Sequence, residues 1–234
     1  ANSIIKNDMS INTVIISGRP FESFFLGYKL KKENPNIKWI PDYRDQWNTY
    51  QDKLSKGLLN KIFYLTEKKL EKKWTSNIAF FITTTNPWKN RISKFIEKPG
   101  EVILNGYSGE VQKLFTEKRI PSLNILYAGT LYPNQPIEKF IKIVSSINKE
   151  KNKNCINLVF VGCEMIKGQK ERLLNIKKQH FGNFDVIDRL QKHELVEHYK
   201  KADLCYLTNF HNVKGWYPVK LFEYAKFQIP ILFL

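Results

Sequence analysis

Along the chain, short apolar runs rich in branched residues alternate with longer stretches whose apolar positions recur every three or four residues. The runs predict strands at 13–17, 37–40, 78–83 and 102–104, then at 124–128, 157–161, 184–187, 204–207 and 229–234. The amphipathic stretches predict helices at 21–32, 57–74, 87–96, 136–147, 167–180, 192–201 and 218–226. Pro87 stands where a first helical turn tolerates proline. The longest stretch, 57–74, is apolar at Leu58, Leu59, Ile62, Phe63, Leu65, Leu70 and Trp74, the spacing of an amphipathic helix. Strands alternating with helices predict βαβ units, and therefore parallel sheets covered on both faces. A polar segment at 109–122 breaks the alternation. A boundary there divides the chain into domains 1–115 and 116–234, two α/β layers in tandem.

Composition narrows the class. With 42% hydrophobic and 26% charged residues in 234, the chain can fill cores and fits neither disorder nor a fibrous repeat. No apolar run approaches the ~20 residues of a membrane span, and the first residues lack the apolar core of a secretory signal. Three cysteines, Cys155, Cys163 and Cys205, are too few and too scattered for a disulfide framework or a zinc cluster. They read as buried thiols in a reducing compartment, and the cytoplasm is expected.

Charge is the extreme feature: 38 Lys+Arg against 22 Asp+Glu give +16. Such a balance suits an anionic membrane surface or a nucleic acid, or is compositional. The excess is spread over both halves, and lysine supplies most of it. Phosphate and base-edge recognition favour arginine forks, so nucleic acid is the weakest of the three explanations.

In doubly wound sheets, ligands sit outside the carboxyl ends of the strands, so the loops after strands are where chemistry is sought. Gly129 and Thr130 follow one strand and Gly162 another. A glycine there lets a phosphate approach the backbone, and a following helix N-terminus favours the anion. A tight strand-to-helix turn would use the same glycines. Lys220 and Glu223, three apart, share a helix face as an anion and hydroxyl site or as an ordinary ion pair. Asp188, Arg189 and Leu190 end a strand where they could edge a planar base. In Asp42-Tyr43-Arg44-Asp45-Gln46-Trp47, two carboxylates flank an arginine beside an aromatic, which suits a polyhydroxylated substrate or a capped loop. His180, His193, His198 and His211 all lie in the second half, without a nucleophile elbow or metal-ligand spacing.

Taken in order, these segments carry a resemblance. Ser17-Gly18-Arg19-Pro20-Phe21, WIPDYRDQW (39–47), VILNGYSGE (102–110), ILYAGTLY (125–132), LVFVG (158–162), the stretch 188–207 and KLFEYAKFQIPIL (220–232) resemble the GT-B glycosyltransferases of family 4 (the group 1 glycosyltransferases). The likeness is to the branch whose donor helix reads K-x-x-E-Y, common among enzymes building bacterial surface polysaccharides such as lipopolysaccharide or capsule.

The resemblance implies two Rossmann-like parallel-sheet domains, with a nucleotide-sugar donor on the C-terminal one. Glu223 would hold the ribose hydroxyls, while Gly129 and Thr130 would lie against the diphosphate and Arg189 and Leu190 beside the base; Gly162 also counts among the donor-binding residues. Tyr217, Pro218, Val219 and the catalytic Lys220 would lie near the phosphates and the sugar. Arg44 and Asp45 would act from the acceptor side, facing a glycan or lipid-linked acceptor. The implied chemistry is retaining hexosyl transfer without metal or cofactor, by stabilising the departing nucleotide diphosphate. Apart from the resemblance, the charge and the lysine- and aromatic-rich helices 21–32 and 57–74 lead to an expected peripheral contact with an anionic membrane. An inactive sugar-nucleotide-binding or partner module is the alternative.

The chain also departs from the family. Gly215 stands where the first glutamate of the E-x7-E pattern belongs, and the family's basic residues after the phosphate-loop glycine are missing. The chain opens near the family's fourth strand and closes before its final helices. The expectation is a fragment, with the N-terminal domain incomplete and the C-terminal domain truncated at its end.

Overall fold

A computed structural model describes residues 11–49, 57–114, 122–208, 215 and 217–234. It divides into two compact units, Ala1–Asn105 with Lys214–Trp216, and Gly106–Val213 with Tyr217–Leu234. Residues 106–114 associate with the second unit: Gln112 N–H donates to the Lys226 carbonyl and Leu114 N–H to that of Phe227. The expected cut at 115/116 thus stands ten residues beyond the division at Asn105/Gly106.

The first unit runs β1 (Thr13–Gly18), α1 (Ser23–Glu33), β2 (Lys38–Tyr43), α2 (Leu58–Trp74), β3 (Phe81–Thr83), α3 (Asn86–Ile96) and β4 (Gly100–Val102). Its strands pair in the order β1-β2-β3-β4, all parallel. One aromatic-rich core holds it together, with Phe24, Trp39, Tyr43, Phe81 and Ile92 among its members. Helix α3 starts where its sequence says: the Thr85 hydroxyl accepts from the Trp88 N–H and Pro87 occupies the first turn, so two orphan donors are satisfied or absent. Gly27 lets α1 lie against β2, because a Cβ there would come within 2.4 Å of the Trp39 ring.

The second unit runs β5 (Leu123–Ala128), α4 (Glu138–Glu150), β6 (Ile156–Val161), a 3-10 turn (Cys163–Met165), α5 (Gln169–Lys177), β7 (Phe184–Ile187), α6 (Lys192–Lys201), β8 (Leu204–Leu207), α7 (Val219–Lys226) and β9 (Ile231–Phe233). The strand order is β7-β6-β5-β8-β9, all parallel. Alternation along β5 sorts its side chains between two cores. Ile125 and Tyr127 pack with α4 and α5 residues such as Ile141 and Leu173; Leu126 and Ala128 pack with Tyr199, Tyr224 and Phe227. This is the doubly wound architecture expected, with both faces covered. Helix α6 opens with a reciprocal cap between Gln191 and Glu194.

Some boundaries differ. Helix α5 begins at Gln169, after Gly168 in a left-handed conformation, and stops at Lys177, so His180 lies in the turn beyond it. Strand β3 keeps only Phe81–Thr83 of the expected 78–83, and β4 ends two residues early, at Val102. Cys163 and Cys205 are buried thiols; Cys155 is only half-buried. His211 lies outside the described residues.

Candidate functional site

The order of the second sheet reverses direction at β5: β6 and β7 extend to one side, β8 and β9 to the other. Ligands of open α/β sheets settle at such a switch, outside the carboxyl ends of the strands. A cleft of about 580 Å³ opens there, lined by Gly129 and Thr130 after β5, Gly162 and Met165 after β6, Arg189 and Leu190 after β7, and Glu223 from α7. Six sequence-derived candidates therefore meet around one cavity: Gly129, Thr130, Gly162, Arg189, Leu190 and Glu223. Lys192 and Leu195 of α6 complete its rim.

Both loops need their glycines. Gly129 has φ 106° and Gly162 φ 75°, a region that L side chains avoid. The N–H of Gly129 donates to the Val161 carbonyl and that of Gly162 to the Ile187 carbonyl. These glycines thus extend the sheet by one rung, and what each offers a ligand is its missing side chain. A Cβ on Gly162 would lie 3.6 Å from the Gly129 Cα, so the two turns sit back to back.

Lys220 stands behind the Gly129 loop. Its Nζ donates to the Thr130 carbonyl at 2.8 Å and to the Tyr127 hydroxyl, and its Cε would meet a Cβ on Gly129 at 3.0 Å. Burial pushes its ammonium down to about 7, against the raising influence of Cys163 and Glu223. The same burial pushes the Cys163 thiol up to about 12. Tyr127 also donates to the Thr130 carbonyl, and buried Gln135 accepts from the Tyr132 N–H. Tyr127 and Gln135, which sequence reading did not single out, buttress the loop. Tyr127 reads as one more member of an apolar run and Gln135 as one polar residue of the loop Pro133-Asn134-Gln135-Pro136, so neither carries a local signal.

The wall beyond β7 is also held through backbone. Arg189 N–H donates to Glu164 Oε1 at 2.7 Å, tying the end of β7 to the 3-10 turn after Gly162. Glu223 is half-buried at the mouth; burial, followed by its carboxylate, raises the Tyr199 phenol behind it. Tyr217, Pro218 and Val219 are not part of this wall: Tyr217 and Val219 are exposed, and Pro218 caps α7.

Arg44 and Asp45 lie in the first unit, in the loop after β2. Arg44 donates to Asp42 Oδ2 at 2.9 Å and to the Ile103 carbonyl at 3.1 Å, bracing that loop to the chain beyond β4. Asp42 also accepts from Ser17 at 2.9 Å. Asp45 faces Arg19 at 3.7 Å; partial burial raises its carboxyl, with Arg19 opposing. The aromatic beside them goes elsewhere, because Trp47 is buried and stacked on Phe21 at 5.2 Å. Among the described residues, no group of three or more His, Cys, Asp or Glu could hold a metal ion.

No family model and no curated protein matches the sequence. Solved structures do match. The trehalose-6-phosphate protein of E. coli bound with UDP-2-fluoro glucose aligns with TM-score 0.69 and 9% identity, over 99% of this chain and 60% of that one. WaaG, a glycosyltransferase involved in lipopolysaccharide biosynthesis, aligns with TM-score 0.62 and 15% identity, over 92% and 64%. Anabaena HepE in complex with UDP-glucose aligns with TM-score 0.59 and 10% identity, over 99% and 62%. The chain spans less than two thirds of the length of these proteins. At such identities a likeness shows the fold, and the fold of this chain is that of the GT-B glycosyltransferases.

Proposed function

We propose that the second unit binds a nucleotide-diphosphate sugar, and that the protein transfers its sugar to a glycan or lipid-linked acceptor. The observation that carries this reading is the meeting of Gly129, Thr130, Gly162, Arg189, Leu190 and Glu223 around one 580 Å³ cleft at the sheet's switch point. The two glycines clear space for a diphosphate. Glu223 is a half-buried acceptor suited to a ribose diol, and Arg189 with Leu190 offers an edge and an apolar surface to a base. Solved structures with bound UDP-2-fluoro glucose and UDP-glucose support the donor class. WaaG's part in lipopolysaccharide biosynthesis supports a surface glycan as product.

The proposed chemistry is retaining and metal-free. As the glycosidic bond breaks, negative charge grows on the leaving diphosphate, and preorganised positive groups there lower the barrier most. The first turn of α7 abuts the Gly129 loop through Lys220, so its N–H groups and the ammonium are the stabilisers at hand. Because Lys220 is anchored to Thr130 and Tyr127, it shapes the loop as well as lending charge.

A thermal-shift series with UDP, GDP and ADP decides the donor reading. At a hundredfold excess over Kd, a diphosphate adds about 2.7 kcal/mol to the native state. One of the three should raise the Tm of the native chain, and the shift should shrink in Glu223→Ala, which loses a charge-assisted bond worth about 1.5–3 kcal/mol. No shift with any of them would overturn the reading.

A binding module without transfer is the second reading, and Gly215 favours it. Its φ is 79° and a Cβ would lie 2.5 Å from Pro87 Cβ, so the glutamate that the resembled family carries here has no room. Donor turnover by the protein with a glycan acceptor would exclude this reading.

A further inference from the structure

Helix α2 is turned inside out. A surface helix normally buries its apolar stripe; here the buried position is Glu71, fully enclosed, accepting from the Tyr43 hydroxyl at 2.9 Å and the Asn48 amide at 2.8 Å. Tyr64 on the same side donates to the Asn48 carbonyl. The apolar residues of its first turns face out instead: Leu58 is 75% exposed, Leu59 72%, Ile62 52% and Phe63 68%, while Leu70 and Trp74 near its end are half-buried. Contiguous apolar surface of this kind marks an interaction site.

Charge on the same helix selects the partner. Lys69 and Lys73 follow Ile62 at helical spacing, so the outward side is apolar in its first turns and cationic in its last. Lys61 is exposed beside them, whereas Lys72 turns aside to pair with Glu97 at 3.0 Å. The two acids of α2 stay on the inner side, Glu71 buried and Glu67 half-buried, so every exposed charge on the helix is positive. A second copy of the chain would set these lysines against their like, in a protein of net charge +16. A bilayer rich in anionic lipid meets both demands, with hydrocarbon for the leucines and phosphates for the lysines.

We propose that α2 is an interfacial anchor: it lies in the headgroup layer of an anionic bilayer, with Leu58, Leu59, Ile62 and Phe63 inserted and Lys69 and Lys73 on lipid phosphates. The inference deepens the acceptor side of the proposed function, since a lipid-linked acceptor lies in that layer, but it rests on a separate observation. The helix is too polar to cross; no helix among the described residues is long and apolar enough for that.

The test is flotation of the whole chain with phosphatidylcholine vesicles, with and without phosphatidylglycerol. Binding is expected only with phosphatidylglycerol, and should be lost at about 0.5 M salt, where screening confines attraction to a few ångströms. Leu59→Ser with Phe63→Ser should weaken it by about tenfold or more, and Lys69→Glu with Lys73→Glu should abolish the anionic preference. All four side chains are exposed, so the circular dichroism melts of these variants should match the parent. Equal binding by the Leu59/Phe63 variant would overturn the inference, as would no binding by the parent. A dimer of the parent that this variant dissociates, without flotation, would assign the face to a second copy. UDP, GDP and ADP binding, measured alongside, is a separate readout: vesicle binding without nucleotide binding would sink the donor reading and leave the anchor.

Discussion

At the scale of single residues, Lys220 carries the sharpest consequence. Its ammonium is lowered from the ordinary value near 10.5 to about 7, chiefly by burial, so in the free protein it is partly neutral just above pH 7. The unfolded chain binds more protons than the fold between about 7 and 10.5, so this residue's cost to stability is full below that window and fades across it. A diphosphate beside the Gly129 loop would favour the ammonium and raise its value again. Binding at pH 8 should therefore take up a proton, and affinity should fall as pH rises above 7. Calorimetry at pH 8 in buffers of different ionisation enthalpy measures the uptake, which Lys220→Met should remove. Uptake that survives in the variant would place the titrating group elsewhere. Gly129 and Gly162 were legible in the sequence, because an apolar run ending in glycine is a local pattern. That Lys220 would be engaged by Thr130 and Tyr127 was not, since those partners are about ninety residues away.

At the scale of elements, α2 is where local pattern and tertiary role part company. Periodicity alone marks it as amphipathic, and says nothing of which side the protein keeps. The decision comes from Glu71, whose carboxylate accepts from Tyr43 on β2 and from Asn48 beyond it. Glu71→Ala removes the acceptor from both buried donors, so it should destabilise the chain by about 3 kcal/mol, read as a lower urea midpoint. A loss below about 1 kcal/mol, the worth of an ordinary hydrogen bond, would mean that packing holds α2 in place. The loop after β2 gives a parallel lesson. Asp42, Arg44 and Trp47 share one sequence motif, yet Trp47 joins the core and Arg44 braces the chain beyond β4, leaving half-buried Asp45 to pair with exposed Arg19.

At the scale of the molecule, each unit has its own core: one aromatic cluster in the first, and two clusters on either face of the sheet in the second. Separate cores predict separate cooperative units. Scanning calorimetry should give a calorimetric enthalpy above the van't Hoff value, and a bound diphosphate should move only the transition of the second unit, whose residues line the whole cleft. A single two-state transition shifted as one would refute this independence. By itself the sequence determined the order of strands and helices, the parallel α/β class and the strand-end loops that line the cleft, because apolar period, capping residues and glycines act over a few neighbours. Only the tertiary structure decided the strand order that sets β5 at the switch point, the gathering of six loop residues around one cleft, the anchoring of Lys220 and the outward turn of α2. Each depends on pairings between residues distant in sequence, which burial and hydrogen bonding settle once the chain has folded.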